Sequence, residues 1–129
     1  MASEIVVDTS VFLALIKGER VNIDAMAILD GALISAVNYA EVLTKLSDFG
    51  KSPADPEIAD ILALLGRIEP FTEARAVITS ALRSETRHAG LSLADRACLG
   101  LALELNADVY TADRDWSRVD VGCAIHLIR

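Results

Sequence analysis

The sequence has few cysteines and few positive charges for its length. Its two cysteines, Cys98 and Cys123, do not have the spacing of a metal site. Each lies in an apolar pattern, so we expect free buried thiols rather than a disulfide. Twelve basic and 19 acidic residues give a net charge of −7, which argues against a surface built for tight non-specific binding to nucleic acid. A nuclease remains compatible with this charge if a divalent metal neutralises clustered carboxylates.

Long apolar segments are also missing. The longest uninterrupted hydrophobic run, residues 11–16, is far shorter than the roughly 20 residues that a membrane-spanning helix needs. Glu4 and Asp8 precede this run, where a signal peptide would carry positive charge. We therefore expect a cytoplasmic protein without membrane contact. The length suits one domain over residues 1–129, and the aliphatic, aromatic-poor composition suits helices packed on an aliphatic sheet.

Short apolar runs typical of buried strands alternate with segments of helical period. The predicted strands are residues 5–7, 32–37, 68–71, 108–112 and 124–128. The predicted helices are residues 11–17, 22–29, 38–50, 57–65, 73–88 and 92–105, with a helical turn at 113–118. Pro70 confines the third strand to an edge of the sheet or marks the end of that strand. This alternation predicts an α/β fold with a parallel sheet and helices on both of its faces.

Four carboxylates recur near the carboxyl ends of the predicted strands. Asp8 follows the first strand, Glu41 lies early in the helix after the second, Asp95 lies early in a later helix, and Asp113 follows the strand at 108–112. Ligands of open parallel sheets bind at this edge, where helix N-termini and loops meet. We therefore expect four acids that are dispersed in the sequence to converge in space.

Helix capping is a simpler explanation of each acid taken alone. Residues 38–41 and 92–95 resemble capping boxes, and Asp8 and Asp113 could each cap the element that follows. Capping does not explain why all four acids would line one edge without a lysine to neutralise them, since the chain has no lysine beyond Lys51. Both interpretations stay open at this point.

Converging carboxylates need a cation, because they repel each other and take up protons unless positive charge neutralises them. Mg²⁺ or Mn²⁺ suits such a site, since both ions prefer carboxylate and water oxygens. Zinc is not expected, because His88 and His126 lack the spacing of zinc ligands. The residues alone therefore predict a hard divalent cation at this edge of the sheet.

Four stretches together resemble a known family. They are IVVDTSVFLAL, ISAVNYAEVLTKL, GLSLADRACLGLAL and VYTADRDW. In this order and spacing they resemble PIN-domain ribonucleases, and more narrowly the VapC-type toxins of bacterial and archaeal toxin–antitoxin pairs. The resemblance runs from Ile5 to the C-terminus and implies a three-layer α/β/α sandwich with a mainly parallel sheet.

The resemblance also implies a role for each acid. Asp8, Glu41, Asp95 and Asp113 would be the catalytic residues around Mg²⁺ or Mn²⁺. Asp8, Asp95 and Asp113 would hold the metal, and Glu41 would position or deprotonate the attacking water. The auxiliary residues are Thr111, Asp115, Ser10 and Asn38. Among them, Asp115 is also the replacement for Asp113 if the two acids of that loop are misassigned.

The implied activity is hydrolysis of single-stranded RNA that leaves a 5′-phosphate and a 3′-hydroxyl. The implied partners are a second copy of the chain and a cognate antitoxin whose C-terminal tail lies across the acidic groove. An acidic surface suits such a basic tail. Arg87, Arg96 and Arg114 are the candidate cations for contact with RNA.

Other readings of the acids are weaker. A haloacid-dehalogenase-like phosphatase would have a second aspartate two residues after Asp8, where Ser10 stands, and a receiver domain would have a lysine beyond Lys51. The alternative to an enzyme is a catalytically silent PIN-like domain that binds only a protein partner.

Overall fold

Short apolar segments of the chain pair into one parallel sheet. In the computed structural model, which describes residues 4–129, the strands are β1 (Ile5–Val7), β2 (Leu33–Ser35), β3 (Arg67–Glu69), β4 (Asp108–Thr111) and β5 (Ile125–Leu127). Their order is β3-β2-β1-β4-β5, and every neighbouring pair is parallel. The predicted parallel sheet is confirmed, and β3 lies at an edge, as the proline after it predicts.

Helices connect the strands. They are α1 (Thr9–Ile16), α2 (Ala25–Leu29), α3 (Ala36–Asp48), α4 (Pro56–Leu62), α5 (Glu73–Ala81), α6 (Arg83–Thr86) and α7 (Leu93–Leu105). Two 3₁₀ turns lie at Arg87–Ala89 and Arg114–Arg118. None of the helices in residues 4–129 has both the length and the apolar character needed to cross a membrane.

Both faces of the sheet carry a hydrophobic core. Val6 and Leu33 point to the face where α7 packs, together with the fully buried Trp116. Their neighbours Val7 and Ile34 point to the opposite face, where α1, α2, α3 and α4 pack. Side chains alternate along a strand, so these consecutive apolar residues serve two cores. The result is the predicted three-layer α/β/α sandwich.

The strand order creates a crevice between β1 and β4. The chain runs from β1 to β2 and β3 on one side, and then crosses to place β4 on the other side of β1. Val7 is in register with Tyr110, and the N–H of Asp8 donates to the Tyr110 carbonyl at 3.1 Å. Such a reversal of strand order is the usual ligand site of an open parallel sheet.

Two predicted helix starts were wrong. The helix predicted from Asn38 begins at Ala36, because the Ser35 hydroxyl accepts the N–H of Val37 and caps it. Asn38 therefore lies inside α3, and residues 38–41 are not a capping box. The helix predicted at residues 11–17 also begins earlier, at Thr9, and it ends at Ile16.

The helix predicted at residues 73–88 is divided. It consists of α5, α6 and the 3₁₀ turn at Arg87–Ala89. The Thr86 hydroxyl donates to the Leu82 carbonyl at 2.8 Å, a side-chain bond that competes with regular helix hydrogen bonding. Gly90 then ends the segment with a φ of 68°, a left-handed conformation that favours glycine.

Candidate active site

Asp8 lies at the mouth of the crevice between β1 and β4, with only 4% of its surface exposed. The Ser10 and Thr111 hydroxyls both donate to its Oδ2 atom, at 2.7 and 3.0 Å. Each hydroxyl oxygen in turn accepts a backbone N–H, Ser10 from Ala112 at 2.8 Å and Thr111 from Asp113 at 3.1 Å. A hydroxyl has a single hydrogen, and these accepted bonds leave it free to point at Asp8. Two elements therefore orient neutral donors toward one buried carboxylate.

Burial and like charge raise the pKa values of two of the acids. Burial raises the pKa of Asp8 to about 6, against the lowering effect of the hydroxyl bonds, and the charge of Asp95 raises it further. Burial also raises the pKa of Asp95, its bonds with Ser92 lower it, and the charges of Asp113 and Glu41 raise it. Each of the four acids thus acts electrostatically on another, as expected if they converge at one edge.

Glu41 is held by a clamp of two polar side chains, one from α1 and one from its own helix α3, together with a backbone carbonyl of α7. The Thr9 hydroxyl donates to Glu41 Oε1 at 2.7 Å. Asn38 Nδ2 lies 3.4 Å from the same oxygen and donates to the Ala94 carbonyl at 3.2 Å. Asn38 is fully buried, and its Oδ1 atom has no hydrogen-bond partner among residues 4–129. The clamp joins α1, α3 and α7 and fixes the position of the Glu41 carboxylate.

Asp95 has a structural role as well as a candidate catalytic one. Its Oδ2 accepts the N–H of Ser92 at 2.9 Å, and its own N–H donates to the Ser92 hydroxyl at 3.2 Å. The capping box predicted at residues 92–95 is therefore confirmed. No hydrogen bond to Asp95 Oδ1 is present within the described part of the chain.

Asp113 also caps the element that follows it. Its Oδ1 accepts the N–H of Asp115 at 2.9 Å at the start of the 3₁₀ turn. Asp113, not Asp115, is the acid of this loop that acts on the pKa of Asp95. Asp115 is exposed, and its side chain makes no hydrogen bond within residues 4–129. The placement favours Asp113 over Asp115 as the fourth acid.

The chemistry of these side chains fits a hard divalent cation. The donors are carboxylate oxygens, and the buried Asp8 is held by neutral hydroxyls, with no ion pair to any residue in 4–129. Across the same residues, no three His, Cys, Asp or Glu side chains are arranged closely enough to hold a metal ion. The assignment of Asp8, Asp95 and Asp113 as ligands therefore rests on their chemistry and mutual electrostatic effects, and stays a prediction.

The histidines are engaged elsewhere. His88 Nε2 bonds the Arg118 carbonyl at 2.7 Å, and His126 Nε2 lies 3.0 Å from Asp108 Oδ2. The His126 ring also stacks on Tyr110 at a centroid separation of 4.6 Å. These contacts engage both histidines with groups other than the four acids.

Both cysteines are free. Burial raises the pKa of Cys98 well above its usual range, and burial raises that of Cys123 as well. The prediction of free thiols is confirmed, but only Cys98 is buried as expected, and Cys123 is half-buried.

A cavity of about 490 Å³ adjoins the acids. Its lining consists of Ser10, Ala112, Asp113, Arg114 and Arg129. Arg114 is one of the three candidate RNA cations. Arg96 instead packs against α5 and donates to the Thr79 carbonyl at 3.2 Å.

Two residues of the site were missed by sequence reasoning. Thr9 was not predicted as a site residue, although it follows Asp8 directly and holds Glu41. Arg129 was not considered. It comes two residues after β5, so the rule that carboxyl ends of parallel strands share an edge could have found it.

Comparison with known proteins places these features in a family. The family model described as PIN domain matches residues 5–122. A search of curated proteins found no match.

Several solved structures share the fold. VapBC2 from Rickettsia felis, bound to a DNA fragment from its promoter, aligns with a TM-score of 0.73 at 20% identity, over 97% of this chain and 98% of that chain. A toxin-antitoxin complex from Klebsiella pneumoniae aligns with a TM-score of 0.68 at 21% identity, over 88% and 91%. VapC20 from Mycobacterium tuberculosis, a sarcin-ricin loop cleaving toxin, aligns with a TM-score of 0.69 at 20% identity, over 88% and 93%.

Proposed function

Because the chain belongs to the PIN-domain family, we propose that it is a metal-dependent endoribonuclease and the toxin of a toxin–antitoxin pair. Its substrate is single-stranded RNA, and its products carry a 5′-phosphate and a 3′-hydroxyl. The whole chain, residues 1–129, forms one PIN-like domain. The similarity of fold to toxins and toxin–antitoxin complexes supports this proposal.

One observation carries the proposal. Asp8 is a buried carboxylate whose contacts with Ser10 and Thr111 are neutral, and the charge of Asp95 repels it. A protein gains nothing in stability by burying such a charge without a cation. A catalytic use of Asp8 explains why this buried charge is present at the crevice between β1 and β4.

The four acids have two roles, since three of them would bind a cation and the fourth acts on the attacking water. Asp8, Asp95 and Asp113 would hold Mg²⁺ or Mn²⁺, which when bound offsets phosphate charge and lowers the pKa of water. Glu41, fixed by Thr9 at 2.7 Å, accepts the proton of the attacking water.

The products follow from the direction of attack. Water adds to the phosphorus in line with the 3′-oxygen, which leaves on the opposite side. The phosphate therefore stays on the 5′ end of the downstream fragment. This step needs no histidine as general acid or base, and His88 and His126 make hydrogen bonds to Arg118 and Asp108 instead.

The proposed partners come from the family resemblance, and the charge of the protein is consistent with one of them. A net charge of −7 and an acidic groove suit the basic tail of a cognate antitoxin. We further propose a homodimer that acts in the cytoplasm. Sedimentation of the purified chain tests the dimer, and a monomer across the concentrations of the activity assay would contradict it.

The activity is tested with the purified full chain and labelled RNA, both unstructured and in stem-loops, with Mn²⁺ or Mg²⁺ and then with EDTA. We expect cleavage that EDTA stops and that Asp8→Asn or Asp95→Asn abolishes. Asp60→Asn is the matched control, because Asp60 is exposed on α4 and its side chain makes no hydrogen bond within residues 4–129. Sensitivity of the product ends to a 5′-phosphate-dependent exonuclease tests the chemistry of cleavage.

The controls separate the two functions considered. Cleavage that survives either Asp8→Asn or Asp95→Asn would refute the mechanism. Absence of cleavage by the wild type, together with binding of a protein partner that both variants retain, would favour the silent interaction domain instead.

A further inference from the structure

The cavity beside the acids is rich in hydrogen-bond donors. Its lining includes two arginines, Arg114 and Arg129, although the neighbouring site is built around carboxylates. It shares Ser10 and Asp113 with the acid site, so it opens directly next to the predicted position of the metal. We call it the arginine cavity.

Arg129 is positioned by the sheet and held in place. Strand β5 pairs in parallel with β4, and the Ile128 N–H donates to the Thr111 carbonyl at 3.0 Å, which brings Arg129 to the edge where Ala112 lies. Arg129 Nε donates to the Ala112 carbonyl at 2.9 Å, and its Nη1 contacts Glu19. A guanidinium has five N–H groups, so three of them keep no acceptor within residues 4–129.

Arg114 contributes a second set of donors. It is exposed, begins the 3₁₀ turn after Asp113, and makes neither an ion pair nor a side-chain hydrogen bond with any residue in 4–129. The carboxylates of Glu19 and Asp113 balance part of the positive charge, but they leave most of the N–H groups of both arginines without an acceptor. Such a site selects a group that presents several anionic oxygens.

We propose that the arginine cavity binds the phosphate of a nucleotide that adjoins the scissile bond of the RNA. This inference rests on the proposed nuclease function and names the residues that bind the substrate. The volume of about 490 Å³ lies within the range of cavities that hold small ligands and leaves room for the nucleotide as well as its phosphate. The arginines thereby supply the attraction for RNA that the acidic protein otherwise lacks.

The test compares steady-state cleavage by Arg114→Gln, Arg129→Gln and the wild type on one single-stranded RNA. We expect KM to rise about tenfold in each variant, because each loses a charge-assisted bond to phosphate, with kcat within about twofold. Arg83→Gln is the matched control, since Arg83 is exposed on α6 and makes no ion pair within the described residues. Arg114→Gln removes no intramolecular bond, so it separates loss of binding from any loss of folding in Arg129→Gln.

A second measurement locates the phosphate. Methylphosphonate linkages, which carry no charge, are placed singly on either side of the scissile bond. One of these positions should raise KM for the wild type but cause no further rise for the Arg114→Gln/Arg129→Gln double variant. An equal effect of that linkage in both proteins, or an unchanged KM in Arg114→Gln, would overturn the proposal.

A failure of the nuclease function would be distinct, since the wild type would then cleave no RNA. In that case, fluorescence anisotropy of labelled RNA in EDTA still tests the cavity. Binding that is equally tight in the wild type and the double variant would overturn the inference, and weaker binding in the double variant would support it.

Discussion

Replacing Asp8 by asparagine is expected to stabilise the metal-free protein near neutral pH while it abolishes the proposed activity. The carbonyl oxygen of asparagine can still accept the bonds that Ser10 and Thr111 donate to Oδ2. The substitution therefore removes a buried negative charge and keeps the polar contacts around it. Most buried substitutions destabilise a protein, so an increase in stability is a specific test of the electrostatic argument.

The magnitude follows from the pKa of Asp8 in the two states. It is about 6 in the folded protein and has the ordinary value of 3.8 in the unfolded chain. Between these values the folded state retains a proton that the unfolded state has lost, so the free energy of unfolding falls as the pH rises. A difference of about 2 pKa units corresponds to about 3 kcal/mol, which is lost in full once the pH exceeds 6.

The assay is urea unfolding of the wild type and Asp8→Asn in EDTA over a series of pH values. The variant should gain up to about 3 kcal/mol over the wild type near neutral pH, a difference that closes as the pH falls toward 3.8. Added Mg²⁺ should stabilise the wild type more than the variant. Asp60→Asn should follow the wild type throughout. The reasoning would be refuted if the wild type were as stable as Asp8→Asn above pH 6 in EDTA. A difference in the free energy of unfolding that does not change with pH would also refute it.

Two further substitutions test the clamp and the packing. Thr9→Val removes the 2.7 Å bond to Glu41 and should lower kcat about tenfold or more with little change in KM. Thr9→Ser keeps the hydroxyl and should retain activity. An unchanged kcat in Thr9→Val would contradict the role of the clamp. Gly66→Ala should destabilise the protein by about 1–3 kcal/mol in urea unfolding, because the new Cβ would lie 2.5 Å from the Gly31 carbonyl oxygen. Gly100→Ala, whose Cβ would lie 3.2 Å from a movable side-chain methyl, should cost less, and an equal cost would contradict the steric explanation.

The sequence predicted features that depend on neighbouring residues. Strand and helix periods predicted the parallel sheet with helices on both faces, and the Ser92–Asp95 spacing predicted a capping box that the structure contains. The start of α3 was missed, because Ser35 and Asn38 are both good caps and the local pattern does not decide between them.

The contacts within the site depend on the tertiary structure, because they join residues that are far apart in the sequence. The Thr111 hydroxyl reaches Asp8 across 103 residues, and Thr9 reaches Glu41 across 32. Period and spacing place each residue at the carboxyl edge of the sheet but do not state which strands are neighbours there. The order β3-β2-β1-β4-β5 puts β4 beside β1 and β5 beside β4.

The sequence by itself therefore predicted the order of strands and helices, and it predicted that four acids lie near one edge of the sheet. Only the tertiary structure decided that Ser10 and Thr111 share Asp8, that Thr9 holds Glu41, and that Arg129 comes to the same crevice. The physical reason is that periodicity encodes how a segment buries its own apolar face, whereas strand order results from the packing of all segments at once.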